Sequence, residues 1–223
     1  GSNQLLIPVT VIGKSRAGKT SLVQSVKKSK RVLTNRDTEE GRIDAATKVF
    51  KVVEAEVSDV RKLIFTDFGG HNIYHVSYQL TFKTQSVPLL VIDIAEFDKL
   101  ANKNGVESAC RELCIDWLSH LYLSCPRLQR PIVALTHSDQ VTEECLKHRR
   151  QQLIEVTEQI RVNIIQTEQK FAYAKNPILT MTSFADLTNP LISDNNIMTF
   201  SDISTESDID ALKAALTDAG SGM

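Results

Sequence analysis

The sequence predicts an α/β fold: a mostly parallel six-stranded sheet with one antiparallel edge strand and helices on both faces. Three observations carry this. Short apolar runs alternate with helical patterns, which is the signature of parallel strands joined by crossover helices. Two of the runs flank a Ser58-Asp59 turn and form a hairpin, which makes one edge antiparallel. The first run, Leu6 to Ile12, ends at a glycine-rich loop that opens a helix. Strands alternating with helices place a ligand at the carboxyl ends of the strands.

Leu6–Ile12 is rich in β-branched residues and reads as a buried strand. A helix follows from Lys19 to about Lys30, and Lys27, Lys28, Lys30 and Arg31 read as its solvated end. Thr34–Asp44 has no periodicity and reads as an exposed loop. Thr47–Val57 and Val60–Phe68 are the hairpin strands. Ile73–Lys83 is a short helix, Val87–Ile94 a buried strand, Glu107–Ser124 an amphipathic helix and Pro131–Thr136 a strand. Thr142 to about Lys170 is one long charged helix, and Ile178–Thr182 is the last strand. Leu187–Thr205 reads as a polar, irregular surface insertion. Ser207–Thr217 closes the chain, with Ser207 and Asp210 as its capping box.

The 223 residues suffice for one sizeable core. Residues 1–5 read as a leader with a tag remnant, 6–218 as the domain and 219–223 as a linker at the chain's end, so a piece of a larger protein is expected. Net charge is -1 with 24% charged residues, so no field of one sign invites nucleic acid or an anionic membrane. No apolar run is long enough to span a bilayer, and no signal peptide is recognisable. The four cysteines, Cys110, Cys114, Cys125 and Cys145, form no CxxC pair and read as reduced, buried thiols.

The strongest motif is Gly13-Lys14-Ser15-Arg16-Ala17-Gly18-Lys19-Thr20, a GxxxxGK[ST] loop after a strand and before a helix. Its glycines let the backbone curl so that N–H groups and the helix N-terminus hold phosphate oxygens. Lys19 reaches the β- and γ-phosphates, Thr20 offers its hydroxyl to Mg²⁺, and Ser21 adjoins the phosphate set. Asp67-Phe68-Gly69-Gly70 ends the second hairpin strand. There Asp67 can hold Mg²⁺ through a water, and the Gly70 N–H can meet the γ-phosphate. Thr136-His137-Ser138-Asp139 lies at another strand end. One carboxylate accepts from guanine N1–H and N2–H together, a fork that adenine does not match, so Asp139 is the base-reading residue. Thr182, Ser183 and Phe184, at the next predicted strand end, would supply an N–H to guanine O6.

In this order, the motifs resemble those of the Ras-like small GTPases, within the P-loop NTPases. Thr136-His137 in place of the family's Asn-Lys, the segment Asp67-Phe68-Gly69-Gly70-His71 and the phrase Thr38-Glu39-Glu40-Gly41-Arg42-Ile43-Asp44 are similar to the Roc domain of Roco proteins. Those include the leucine-rich-repeat kinases and the death-associated protein kinase. The resemblance covers roughly residues 6–218. It implies GTP and GDP as ligands with Mg²⁺, and slow GTP hydrolysis in the service of a signalling switch. It also implies a cytoplasmic multidomain parent with a COR-like module, and homodimerisation through the full-length protein.

Several positions depart from the family pattern. Thr136 must tie the base loop to the P-loop with a single hydroxyl, and His137 is shorter than the usual lysine. Weaker nucleotide binding and faster exchange than in typical Ras-like proteins are therefore expected. His71 stands where such enzymes place the glutamine that orients the attacking water, against the alternative of a solvent-facing loop residue. Thr38 is the expected Mg²⁺-sensing threonine, with Thr34 and Thr47 as alternatives. Arg36 is a candidate arginine finger in cis. Two other functions stay open at this point: a nucleotide-dependent scaffold without measurable turnover, and an ATPase of another P-loop class.

Overall fold

The computed structural model describes residues 4–34, 51–67, 85–124, 130–175 and 190–223. Its sheet has the order β2-β3-β1-β4-β5-β6. These strands are β1 (Leu5–Ile12), β2 (Lys51–Ser58), β3 (Arg61–Asp67), β4 (Val87–Asp93), β5 (Ile132–Thr136) and β6 (Ile197–Thr199). β2 pairs antiparallel with β3 at one edge, and all other pairings are parallel. The predicted architecture is thus the observed one. β4 and β5 are buried along nearly their whole length, as parallel strands covered on both faces must be. β2 instead alternates, with Val53 and Ala55 inward and Glu54 and Glu56 outward. Lys62 of β3 bridges both glutamates at 2.9 Å, so the open edge carries charge, which discourages further strand pairing.

The period-2 alternation divides the core between the two faces. Leu89 and Val91 of β4 face one side, with α1 (Lys19–Lys28) and α6 (Glu206–Gly220), where Leu22, Val26, Ile209 and Leu212 are fully buried. Leu90 and Ile92 face the other, packing with Phe97, Leu118, Leu153 and Ile160. That second layer consists of α2 (Ile94–Asn104), α3 (Val106–Cys110), a π-turn over Arg111–Ile115, α4 (Asp116–Ser124) and α5 (Glu143–Lys175).

The structure corrects several expectations. Ile94–Asn104 is a helix that the sequence reading leaves out. Asp93 caps it, its Oδ1 accepting from the N–H groups of Ala95 at 2.9 Å and Glu96 at 3.1 Å. Gly105, at φ 91°, breaks α2 from α3. The capping box of the last helix is Thr205 with Asp208, two residues earlier than Ser207 with Asp210, and the helix runs on to Gly220. Gly220 and Met223 pack on the fold: a Cβ on Gly220 would lie 2.2 Å from Ile7 Cγ2, and Met223 lies against the same core. Leu5, assigned to the leader, pairs with Arg61 in the sheet.

The largest correction concerns Leu187–Thr205. Ile197–Thr199, inside this expected insertion, is the strand beside β5. Asn196 sets its entry, its side-chain amide donating to the carbonyls of Pro131 (2.8 Å) and Leu191 (2.9 Å). The predicted strand Ile178–Thr182 and helix Ile73–Lys83 lie outside the described residues. Cys110 and Cys114 are free and buried, burial pushing the Cys110 thiol up to about 11 and Cys114 higher still. Cys145 is half-exposed rather than buried, and Cys125 lies outside the described residues. Among the described residues, no helix is long and apolar enough to cross a membrane.

Candidate functional site: a phosphate loop joined to a base-reading loop

The loop from Gly13 to Gly18 leaves β1 at the carboxyl end of the sheet. Gly13 adopts φ 141°, Arg16 φ 70° and Gly18 φ 95°, positive values that wind the backbone into a tight cradle. Gly13 passes so close to β4 that an added Cβ would meet the Val91 carbonyl oxygen at 2.3 Å. Gly18 precedes α1, whose N-terminus has no side-chain cap, and a helix N-terminus is where an anion binds. Lys19 is 5% exposed, and its Nζ donates to the carbonyls of Gly13 at 2.7 Å and Lys14 at 2.9 Å. Its ammonium is therefore folded over the mouth of the loop. Ser15 and Arg16 are exposed and Ala17 is buried. The Lys14 side chain points elsewhere, to Glu112 at 2.9 Å and Glu96 at 3.2 Å, and the hydrogen bond it donates to Glu112 foremost holds its pKa above the usual value.

Asp67 ends β3 opposite Val11 of β1, which brings it to the start of α1. It is 3% exposed, and its Oδ2 accepts from the Thr20 hydroxyl at 2.8 Å. Two hard oxygen donors thus meet beside the phosphate cradle, a donor set that suits Mg²⁺. Of the threonines considered for the second ligand, Thr34 sits on Ser21, with the two hydroxyl oxygens 2.8 Å apart and its N–H 3.2 Å from Ser21 Oγ. Thr38, Thr47, Arg36, Gly70 and His71 lie outside the described residues.

Thr136 is the point where the two halves of the site join. It is 1% exposed, and its hydroxyl donates to the Ala17 carbonyl at 2.5 Å. The Ile92 carbonyl, at 3.4 Å, is too distant to compete for the single proton. The base loop is therefore tied to the P-loop by the one hydroxyl available, and Gly18 packs on the Thr136 methyl, where a Cβ would lie 3.5 Å from it. His137 follows in the left-handed conformation, φ 56°. Its Nδ1 lies 3.1 Å from Thr136 Oγ1 and 3.3 Å from Asp93 Oδ2, so the ring is held toward the cap of α2. Asp139 is exposed, in a 3₁₀ turn over Ser138–Gln140. Thr136→Val removes the tie while keeping the methyl contact. It is expected to weaken nucleotide binding about tenfold and to lower stability by about 1–3 kcal/mol, read by equilibrium titration beside a thermal melt.

Among the described residues, the segment after β6 lies beside the Asp139 loop; residues 182–184 lie outside the described residues. Phe200 N–H donates to the Leu135 carbonyl at 2.7 Å, and Ser138 N–H to the Phe200 carbonyl at 3.2 Å. Sequence reasoning missed three participants. Asp93 orients His137, Ser201 follows the β6 strand end, and Arg31, read as a solvated helix end, is half-buried with its Nε 2.9 Å from the Ser201 carbonyl. Asp93 with Glu96 three residues on was a readable helix start. β6, at three residues, was too short to stand out from its polar surroundings.

The family described as "Ras of Complex, Roc, domain of DAPkinase" matches residues 8–139, more than half of the chain. No curated protein matches. Among solved structures, bacterial selenocysteine-specific elongation factor EF-Sec is similar with a TM-score of 0.56 at 16% identity, over 97% of this chain and 29% of that one, which shows the fold alone. Methanosarcina barkeri Roco2 RocCORdC, bound to GDP, aligns with a TM-score of 0.47 at 19% identity, over 98% of this chain and 51% of that one. The chain thus spans under a third of the elongation factor and about half of the Roco2 chain. With the phosphate loop, the Asp67 strand end and the Thr136–Asp139 loop in one place, and the Roc match running from β1 to Asp139, the chain belongs to the Roc family of Ras-type GTP-binding domains.

Proposed function

We propose that this domain binds GTP and GDP with Mg²⁺ and hydrolyses GTP slowly, as the switch of a larger Roco-type protein. The observation that carries the reading is the Thr136 hydroxyl on the Ala17 carbonyl. It joins the phosphate cradle directly to the Asp139 loop, as a nucleotide bridging the two requires. Lys19 and the loop amides bind the β- and γ-phosphates. Asp139 accepts from guanine N1–H and N2–H, and a strand-end N–H, of Thr182–Phe184 or of the segment after β6, meets guanine O6. Thr20, Asp67 and Thr38 are the residues that would hold Mg²⁺. When bound, the ion neutralises phosphate charge.

Hydrolysis breaks the bond between the γ-phosphorus and the bridging oxygen, with water adding to phosphorus and GDP leaving. His71 is the residue proposed to orient that water, and the Gly70 N–H to meet the γ-phosphate. Intrinsic turnover in Ras is only on the order of 10⁻⁴ s⁻¹ with a glutamine in that role, so slow turnover is the expectation here. A COR-like module following the domain, homodimerisation through the whole protein and a cytoplasmic location belong to the same proposal. Single-turnover phosphate release in magnesium tests it. His71→Ala should slow release about tenfold or more while GDP affinity stays unchanged. No release over hours from the unmodified chain would leave a nucleotide-dependent scaffold in place of a GTPase.

A further inference from the structure

Arg31 sits in a basic run, Lys27 to Arg31, that looks like a solvated helix end. Its guanidinium is instead half-buried and committed. Nε donates to the Ser201 carbonyl at 2.9 Å, while Nη1 lies 3.3 Å from Ser25 Oγ and 3.4 Å from the Val32 carbonyl. Ser25 is fully buried in α1, and its hydroxyl also accepts from Val32 N–H at 2.9 Å, so the anchor on that side is rigid. On the other side, Ser201 adjoins Phe200, whose carbonyl accepts from the N–H of Ser138, next to Asp139. Hydrogen bonds joined by the Phe200–Ser201 peptide thus link α1, the helix that opens at the P-loop, through Arg31 to the Asp139 loop. Burial of the guanidinium lowers its pKa, and the carboxylates of Asp202 and Asp139 oppose that shift, so both acids lie within its field.

The geometry points to Arg31 as a positioning residue for base selection: it holds the segment after β6 against the Asp139 loop and so sets where the Asp139 carboxylate meets the base. This rests on the reading of Asp139 as the guanine-selecting residue. The Thr136 tie restrains the loop from the P-loop side, and Arg31 restrains it from the side of α1 and β6. Arginine suits the task because its planar fork bonds a carbonyl through Nε and a hydroxyl through Nη1 at once, which a lysine ammonium on a flexible stem does not reproduce.

The test compares magnesium complexes of GDP and IDP, whose hypoxanthine lacks the 2-amino group, with pyrophosphate as the base-free probe. Dissociation constants are measured for the full chain, Arg31→Ala, Arg31→Lys, Asp139→Ala and the Arg31→Ala/Asp139→Ala double variant. The unmodified chain should favour GDP over IDP by about tenfold, the worth of one charge-assisted hydrogen bond. Arg31→Ala should bring that ratio close to one with pyrophosphate binding unchanged. Arg31→Lys should restore it in part, and the double variant should show no loss of ratio beyond that of Asp139→Ala. If Arg31→Ala keeps the full ratio while Asp139→Ala abolishes it, the inference falls and the base reading survives. If Arg31→Ala weakens GDP, IDP and pyrophosphate equally, Arg31 is a structural strut and the inference also falls. If Asp139→Ala leaves the ratio intact, Asp139 does not read the base and both fall together.

Discussion

Asp139→Asn is expected to move the domain's preference from guanine to xanthine nucleotides. In the proposed site the carboxylate accepts two hydrogen bonds from guanine, N1–H and N2–H. An asparagine amide offers one acceptor and one donor, so its NH₂ would face the guanine 2-amino group, donor against donor. Xanthine keeps N1–H but carries a carbonyl oxygen at position 2, which matches the amide. Losing one charge-assisted bond and leaving two buried donors opposed should weaken GDP by about 100-fold or more, while XDP gains. The fold should tolerate the change, since Asp139 is exposed and the new side chain is isosteric. Competition between GDP and XDP on both proteins reads the outcome; an unaltered preference for GDP in the variant would remove Asp139 from the base site.

Gly13→Ala should disrupt the site from its other end. At φ 141° an alanine is strained, and its Cβ would approach the Val91 carbonyl oxygen to 2.3 Å. Relief requires β1 and β4 to part at the centre of the sheet, where Val11 pairs with Leu89 and Ile12 with Leu90. A loss of about 3 kcal/mol or more, a fall in Tm of about 10 °C, and loss of nucleotide binding are expected. Gly105→Ala is the control: its φ of 91° carries a similar backbone cost, but nothing lies within 4 Å of the added Cβ. That variant should lose about 2 kcal/mol, the backbone cost alone, and keep its nucleotide. Equal thermal losses in the two variants would show that backbone conformation, and not the approach to Val91, governs the Gly13 position.

The parts of the fold that were readable in the sequence are those written in periodicity and in spaced motifs. β1, β4 and β5 are near-continuous apolar runs, as buried parallel strands require, and the GxxxxGK[ST] spacing places the cradle between β1 and α1 without further help. Asp67 and Thr136 could be placed because each ends a recognisable strand. What escaped depends on contacts distant in sequence. β6 is only three residues long and is a strand because Val133 to Leu135 lie beside it, not because its own composition demands one. Arg31 carries no signal distinguishing it from Lys27 or Lys28; its burial follows from the segment after β6 arriving 170 residues later. α2 was hidden because Ile94 and Phe97 extend the apolar run of β4, and only the Asp93 cap marks the change of period. Gly220 looks like linker composition, yet close approach of α6 to Ile7 is what a glycine permits.

In the proposed function the P-loop and the Asp139 loop, joined through Thr136 and Ala17, form one guanine-nucleotide site. Calorimetric titration of the nucleotide-stripped chain with GDP and with ADP, each in magnesium, tests it most directly. One site for GDP is expected, with ADP weaker by about 100-fold or more because adenine offers Asp139 no paired donors. Equal affinity for the two, or a preference for ADP, would contradict it.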